Sequence, residues 1–356
     1  MNSLLLENDC YNNLFIEQMV SAEFSTESTL RHFIAFENAL TRALVKSGAV
    51  EVSVGRAASE RMKTFSADIT AIRQATLADG MPAPEFVRQL KAHVGPELGS
   101  AVHVGATSQD LIDTALVLAL REINRTFSAR LVPLVTALRK LAAVHGGKPL
   151  MGRTRMQAAV LITVADRVKT WILPLEEHLH RLDQLRPRLE RLQFGGPVGD
   201  RALPDNKGDE VAALLAREFG LGNPQKAWHA MRDALAEYAN WLSLVTGSLG
   251  KMGQDLCLMA QQGIDEVVFS GGGTSSAMAH KQNPVLAETL VSFARFNAVQ
   301  LSGMHHALVH EQERSGAAWT LEWMILPAMV NTTGKSLELA LALVGQIEQI
   351  GKVQPD

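Results

Sequence analysis

Residues 270–284, SGGGTSSAMAHKQNP, combine a glycine run with two adjacent hydroxyls, a lysine and an Asn-Pro pair. The segment thus combines nucleophile-sized hydroxyls, those of Ser275 and Ser276, with a cation, Lys281, that can hold a carboxylate. The simpler alternative is a linker followed by a helix with Pro284 in its first turn. That alternative leaves the hydroxyls, the lysine and Asn283 unexplained, so the segment predicts a site for an anionic substrate.

A second polar segment, HVGATSQD at residues 103–110, directly precedes a strongly apolar stretch. Thr107 or Ser108 could cap the helix predicted there, with Asp110 contributing in its first turn. A helix N-terminus that carries free N–H groups and two hydroxyls also suits a carboxylate, and His103 adds a possible donor. Capping is the simpler interpretation of this segment alone, and carboxylate binding is the alternative.

The third segment, GRTRMQ at residues 152–157, places Arg153 and Arg155 on either side of Thr154, where the sequence predicts the start of another helix. Arginine binds carboxylates well because its planar fork donates paired hydrogen bonds. Two solvated surface arginines are the alternative, but cations at a helix N-terminus oppose the helix dipole, which favours another use. The later segment HEQERS, residues 310–315, has the composition of an ordinary charged helix end.

Long helices are predicted to position these segments, since the intervening sequence is apolar at helical spacing and shows no convincing strand pattern. Residues 1–100 are predicted to form a small helical domain, in which a helix over 25–48 is capped by Ser28 and ends at Gly48. Residues 101–356 are predicted to form a central bundle. Its predicted helices cover residues 108–145, 154–193, 227–263, 284–311 and 318–350, and residues 194–226 are a connection with one short helix. An interruption is expected near Pro133 in the first of these helices, and Pro174 and Pro187 are expected to kink or segment the second.

Composition and charge restrict the class of protein. Of the 356 residues, 47% are hydrophobic and only 5% aromatic, which suits packed helices better than a β-sandwich. The formal net charge is −3 and no basic stripe is present, so no nucleic-acid partner is expected. No apolar run is long enough for a membrane helix, and the N-terminus lacks the basic region of a signal peptide. Cys10 and Cys257 lie far apart, which favours a reduced, cytoplasmic protein.

No sequence motif indicates a metal or another cofactor. The eleven histidines include neither an HExxH motif nor a His/Cys ligand spacing. The chain contains no GxGxxG fingerprint, and the GGGTSS run lacks the lysine of a phosphate-binding loop. We therefore expect chemistry that side chains and the substrate carry out themselves.

Taken together, the three polar segments resemble the signatures of the fumarase/aspartase superfamily. Its signature loop, G-S-S-x-M-P-x-K-x-N-P, corresponds to residues 273–284, and HVGATSQD and GRTRMQ follow the other two signatures in order and spacing. The resemblance implies an all-α, elongated helical bundle with a central five-helix core. It also implies a homotetramer in which each active site takes its three segments from different subunits. Because the chain ends at Asp356, the C-terminal domain common in the family is expected to be shortened or missing.

Several later stretches resemble the bacterial subgroup that lactonises carboxylated muconates in protocatechuate degradation. They are the sequences LRPRL at 185–189, LQFGG at 192–196, GSLGK at 247–251 and EQERS at 311–315. This resemblance implies a cofactor-free isomerase for a small anionic substrate, either a tricarboxylate or a sulfonated muconate. A lyase that releases fumarate from a succinyl or aspartyl compound is one alternative, and a non-catalytic helical scaffold is another.

The superfamily resemblance also implies roles for individual residues. Ser275 matches the serine that moves the α-proton, and Lys281 and Asn283 match the residues that hold the substrate carboxylate and its developing charge. Many superfamily lyases carry a histidine at the position of Arg155, where it pairs with a glutamate that matches Glu288. The predicted catalytic residues are Ser275 and Lys281. The predicted substrate-binding residues are His103, Thr107, Ser108, Arg153, Thr154, Arg155, Gln157, Ser276, Asn283 and Arg314.

Overall fold

The computed structural model describes residues 9–274, 278 and 281–352. Within these residues, the N-terminal part of the chain is helical. Its helices are α1 (Asp9–Phe15), α2 (Gln18–Glu23), α3 (Thr26–Ser47), α4 (Val52–Met62), α5 (Ile69–Asp79) and α6 (Ala83–Val94). Ser25, rather than the predicted Ser28, caps α3 by accepting a hydrogen bond from the Ser28 N–H at 3.1 Å. Gly48 ends α3 as predicted, because its φ of 75° favours glycine.

The rest of the described chain consists of longer helices with short strands between them. In chain order they are α7 (Ser108–His145), β1 (Pro149–Thr154), β2 (Gln157–Thr163), α8 (Val164–Leu189), α9 (Gly208–Phe219), α10 (Asp233–Met259), β3 (Val267–Phe269), β4 (Gly273–Thr274), β5 (Gln282–Asn283), α11 (Val285–His306), α12 (Gly316–Gly345) and β6 (Ile347–Ile350). The all-α bundle predicted from the sequence is confirmed. The division into domains at residue 100 stays a prediction.

The helix α10 lies at the centre of the bundle and packs against α8, α11 and α12. It also reaches α7, where the Tyr238 hydroxyl donates to Oδ1 of Asn124 at 2.8 Å. Its leucines recur every seven residues, so they fall on one face of the helix. Leu235, Leu242, Leu249 and Leu256 are all buried. Aromatic side chains are few in the sequence, and those of Tyr238 and Trp241 stack in this core with ring centroids 5.8 Å apart. The core is therefore built mainly from aliphatic contacts between long helices.

The predicted helix start at residue 154 is wrong, and so are the breaks expected at prolines in α7 and α8. The helix expected over residues 154–193 begins only at Val164, and a β-hairpin formed by β1 and β2 occupies the preceding residues. Thr163 caps α8, since its side chain accepts from the Asp166 N–H and the Asp166 carboxylate accepts from the Thr163 N–H. Neither Pro174 nor Pro187 segments α8, which continues to Leu189, and Pro133 does not interrupt α7, which continues to His145.

Two further strand pairs flank the glycine-rich segment. Strand β3 pairs with β6 in antiparallel register, with Val267 opposite Ile350, immediately before that segment begins. Strands β4 and β5 pair at its two arms, with Gly273 opposite Asn283. The segment is thereby joined to the end of α12. Of the helices in the described residues, none is long and apolar enough to cross a membrane.

Candidate active site

The HVGATSQD segment lies at the N-terminus of α7, and the capping interpretation is confirmed. Thr107 is the N-cap residue, and the Asp110 carboxylate accepts a hydrogen bond from its N–H at 3.0 Å. Asp110 has no exposed surface, and its other contacts are the Gly196 N–H at 2.9 Å and His229 Nε2 at 2.7 Å. Since these contacts occupy both carboxylate oxygens, Asp110 fixes the helix terminus, while Thr107 and Ser108 are half-buried beside it.

His103 is held in this site by a buried carboxylate. Its Nδ1 lies 2.6 Å from Oε1 of Glu37, a residue of α3 with no exposed surface. Burial alone lowers the pKa of His103, but the attraction of the Glu37 carboxylate and its hydrogen bond outweigh burial, so the pKa is raised above its ordinary value of 6.5. A backbone φ of 61° turns the chain at His103. The arrangement favours a cationic imidazole next to the α7 N-terminus, where an anion would gain from both.

We expect the stability of the folded protein to decrease as the pH rises above the ordinary imidazole range. The folded pKa of His103 is raised, so the His103–Glu37 pair contributes fully below the unfolded pKa and is lost as the pH rises through the folded pKa. Replacing Glu37 with glutamine should remove this part of the pH dependence. Urea midpoints of both proteins at a series of pH values measure it, and parallel curves would contradict the assignment.

Arg314 lies beside the same helix terminus. Its Nε donates to Oε1 of Gln109 at 2.9 Å, and its Nη2 donates to the Pro197 carbonyl at 3.2 Å. Gln109 is fully buried and donates in turn to the His229 carbonyl at 3.0 Å. The structure therefore joins the HEQERS and HVGATSQD segments, and the guanidinium of Arg314 is positioned by protein contacts.

A buried charged network beneath this terminus was not predicted from the sequence. Arg232 donates to both oxygens of Asp113, at 2.6 and 3.0 Å, and to both oxygens of Glu322, at 2.8 and 2.5 Å. The side chains of all three are at most 2% exposed. Burial alone raises the pKa of the Asp113 carboxyl, but the Arg232 guanidinium outweighs it and lowers that pKa overall.

Neighbouring side chains complete this network. Trp319 Nε1 donates to Asp113 at 3.2 Å, and the Arg232 guanidinium lies 4.7 Å from the centroid of the Trp228 ring. The sequence contains one usable signal, because Asp113 follows Asp110 by three residues on the same face of a helix whose next residues are mostly apolar. A charged residue on a buried helix face requires a partner, although the sequence does not say which one.

The GRTRMQ segment forms the tip of the β1–β2 hairpin, not a helix start. Arg155 and Met156 occupy the two-residue turn with φ of 49° and 67°, and Thr154 and Gln157 are the flanking strand ends. Positive φ at both central residues is typical of tight hairpin turns, which usually contain Asn and Gly. Because this turn has neither, and a short apolar run does not distinguish strand from helix, the sequence pattern was misleading.

The two arginines of the hairpin have different surroundings. Arg153 donates to both oxygens of the buried Glu266, at 2.8 and 3.0 Å, so this contact holds its guanidinium. Arg155 is exposed at the tip. In the described part of a single chain, no ion pair joins Arg155 to Glu288. A cavity of about 460 Å³ adjoins the hairpin, and Arg155, Arg167 and Lys251 line it.

The glycine-rich segment is described at its two arms and at Met278 between them. Ser275 and Ser276 lie outside the described residues. Lys281 is exposed, and its backbone N–H donates to the Met278 carbonyl at 3.1 Å. Asn283 is half-buried and lines a cavity of about 190 Å³ at the base of the segment. The cation of Lys281 and the amide of Asn283 therefore lie on the C-terminal arm of the segment.

One chain does not bring the three segments together. Thr107 precedes α7 and the hairpin follows it, so the 38 residues of this helix separate them. At ~1.5 Å per residue, the separation is ~57 Å. The hairpin and the base of the glycine-rich segment lie at the same end, since Arg153 contacts Glu266 and β3 starts at the next residue. The first signature segment is therefore remote from the other two within a protomer.

Comparison with known proteins places the chain among lyases. A family model described as lyase matches residues 15–297. A 3-carboxy-cis,cis-muconate cycloisomerase from Pseudomonas aeruginosa is 35% identical over 96% of this chain and 76% of its own length. The crystal structure of the 3-carboxy-cis,cis-muconate lactonizing enzyme from Pseudomonas putida superimposes with a TM-score of 0.88 at 35% identity, covering 96% of this chain and 77% of that one. A nitrosuccinate lyase from Streptomyces davaonensis is 33% identical over 91% of this chain and 71% of its own length.

Proposed function

Because the chain belongs to the fumarase/aspartase superfamily, we propose that it is an isomerase that lactonises 3-carboxy-cis,cis-muconate to 4-carboxymuconolactone. The observation that carries this proposal is the residue at the hairpin tip. Arg155 occupies the position where many superfamily lyases carry a histidine, and an arginine does not exchange a proton near neutral pH. A reaction that needs cations and a single proton transfer suits this site better than an elimination with a histidine acid. In the cell, the reaction would belong to protocatechuate degradation in the cytoplasm.

Lactonisation joins a carboxylate oxygen of the substrate to a carbon of its own diene, so nothing leaves. As the C–O bond forms, the electron pair of the attacked double bond moves toward the neighbouring carboxylate and gives an aci-carboxylate. A proton then adds to the α-carbon, which restores the ordinary carboxylate. The nucleophile belongs to the substrate, so the enzyme supplies orientation, charge stabilisation and one proton.

The residues predicted for the site suit these tasks. Ser275 is proposed to deliver the proton and to regain one from solvent. Lys281 and Asn283 would hold the carboxylate on which negative charge develops. A second anionic group would bind at the α7 N-terminus, where Thr107 offers its hydroxyl and the cationic His103 lies nearby. The remaining anionic group of the substrate, a carboxylate or a sulfonate, would bind to an arginine side chain.

We expect the protein to remove the diene absorbance of 3-carboxy-cis,cis-muconate and to take up one proton for each diene lost. Proton uptake follows from the chemistry, because a carboxylate becomes a neutral ester while the carbon skeleton gains hydrogen. Absorbance and a pH indicator in weak buffer measure both quantities in one cuvette. The absence of diene loss with both the carboxy and the sulfo substrate would contradict the proposal.

A lyase that acts on a substituted succinate is the second candidate, and the similarity to nitrosuccinate lyase favours it. Such an enzyme releases fumarate, whereas the cycloisomerase releases nothing. Incubation with adenylosuccinate, nitrosuccinate and related succinyl compounds, followed by detection of fumarate, distinguishes the two. Fumarate release without lactonisation would replace the first proposal by the second.

Replacing Lys281 with alanine is expected to raise KM and lower kcat together. The ammonium would attract the substrate in the ground state and gain strength as charge develops on the carboxylate. Steady-state kinetics on the muconate measure both constants. Lys352 provides a matched control, because it is also exposed and lies at the same end of the bundle, where its backbone N–H donates to the Pro149 carbonyl. An unchanged kcat/KM in the Lys281 variant would remove this lysine from the site.

We further propose a homotetramer whose active sites combine segments of different subunits. The separation of ~57 Å along α7 supports this arrangement, because the proposed reaction needs the segments together. Exposed apolar side chains on several long helices supply surfaces for association. They are Val132 and Val144 on α7, Leu173 on α8, Leu244 on α10 and Val299 on α11. Sedimentation equilibrium gives the mass of the assembly, and a monomer would contradict shared sites.

A further inference from the structure

The connection between α11 and α12 contains a buried imidazole to which the proposed reaction gives no role. The His310 side chain has 0% exposure, whereas the next three residues, 311–313, are exposed. Neither ring nitrogen has a hydrogen-bond partner among the described residues. Burying a polar ring without hydrogen bonds is costly, so its position needs an explanation.

The imidazole faces the buried network described above. Its Nε2 lies 3.6 Å from Oε1 of Glu322, the same oxygen that accepts from Arg232 Nε at 2.8 Å. Within the network, the two carboxylates of Asp113 and Glu322 share the single guanidinium of Arg232. An N–H directed from His310 toward Glu322 therefore meets an excess of negative charge. This attraction explains why the ring is buried here.

The same residue begins the short segment that carries Arg314. Ser315, at the other end, is 1% exposed, and its Oγ accepts from the Ala318 N–H at 3.2 Å as the cap of α12. Between these two anchors, Gln312 turns the chain with a φ of 46°, and the Arg314 N–H donates to the Glu311 carbonyl at 3.1 Å. The direction of Arg314 toward Gln109 thus depends on both ends of a six-residue turn.

We propose that His310 is a positioning residue, which anchors this turn on Glu322 and thereby directs Arg314 toward an anionic group of the substrate. The proposal rests on the anionic substrate proposed above. His310 itself touches no substrate. It connects the buried network of Asp113, Arg232 and Glu322 to the half-buried Arg314, so the network affects substrate affinity as well as stability.

Three substitutions at His310 test this role. Glutamine places its amide nitrogen where Nε2 lies, asparagine places it closer to Nδ1, and leucine removes the donor while filling the space. We expect leucine and asparagine to raise KM by ~10-fold with little change in kcat, and glutamine to keep KM within about twofold of the parent. His306→Gln, on the exposed end of α11, is the control and should change neither constant.

Combining His310→Leu with Arg314→Lys identifies the path of the effect. If His310 acts through Arg314, the double variant shows the KM of the Arg314→Lys variant and no further increase. Additive increases would overturn the proposal. An unchanged KM in the folded asparagine and leucine variants would overturn it as well.

A measurement independent of turnover separates this proposal from the proposed function. Phenylglyoxal labelling of Arg314, followed by mass spectrometry of the peptide, reports how tightly the guanidinium is held. Labelling should be faster in the leucine and asparagine variants than in the parent and the glutamine variant. Equal rates in all four proteins would reject His310 as the anchor. Faster labelling in the two variants would support it even if the parent failed to lactonise the muconate.

Discussion

Replacing Arg232 with methionine is expected to lower the free energy of unfolding by about 3–5 kcal/mol, the range found when one partner of a buried ion pair is removed. The substitution conserves much of the side-chain volume but leaves Asp113 and Glu322 without their shared cation. Both carboxylates are at most 2% exposed, so water cannot solvate them in the folded state. The cost comes from isolating these charges, and it exceeds the net contribution of the intact network.

Urea unfolding of matched variants tests this explanation. Arg188→Met removes a guanidinium that pairs with Glu237 while both side chains remain about half-exposed, so it should cost far less than Arg232→Met. Adding Asp113→Asn and Glu322→Gln to Arg232→Met should recover part of the loss, because no buried charge then remains unpaired. Equal losses in the Arg232 and Arg188 variants would show that burial of the network has no special effect.

Replacing Ser275 with alanine is expected to reduce kcat by about 10²–10⁴-fold, the usual contribution of a positioned proton donor. The side chain that delivers the proton would be absent, while Lys281 and the α7 N-terminus still bind the substrate, so KM should change little. Ser270→Ala is the control. The Ser270 hydroxyl donates to the Gln346 carbonyl at 3.3 Å, before the glycine run begins.

Mixing inactive subunits extends this prediction to the proposed assembly. Ser275→Ala and Thr107→Val each disable a different signature segment. If those segments come from different subunits, refolding the two variants together in equal amounts should restore activity in about a quarter of the sites, since each segment is intact in half of the chains. Activity that stays at the level of the separate variants would contradict sites shared in this way.

Local signals in the sequence predicted the long helices well. The bounds of the predicted range 108–145 match α7, because Thr107 and Asp110 mark its start and two glycines follow its end, although the break expected near Pro133 is absent. The β1–β2 hairpin was missed because its strand residues, QAAVLIT, are also compatible with a helix and its turn is Arg-Met. Hydrogen bonds between the strands decide the structure there, and a linear pattern does not contain them.

The candidate site was predictable where one segment carries several functional groups, and hidden where partners come from distant parts of the chain. His103 was identified as a donor, but Glu37, its buried partner, is 66 positions away. Asp113 in α7 and Arg232, just before α10, are separated by 119 positions, and neither one's neighbours in the sequence identify its partner. Pairing between remote positions is a property of the packed bundle. The sequence indicates only that a buried charge needs a partner.

The length of α7 also restricts how the chain can vary. Each residue added to an α-helix turns everything beyond it by about 100° as well as advancing it by ~1.5 Å. An insertion of one residue between Ser108 and His145 would therefore rotate the β1–β2 hairpin and Arg155 about the helix axis to another side of the bundle. Changes of about seven or eleven residues, close to two or three full turns, would restore the direction of the hairpin. Proteins built on this plan should consequently differ in the length of their connections while keeping this helix constant.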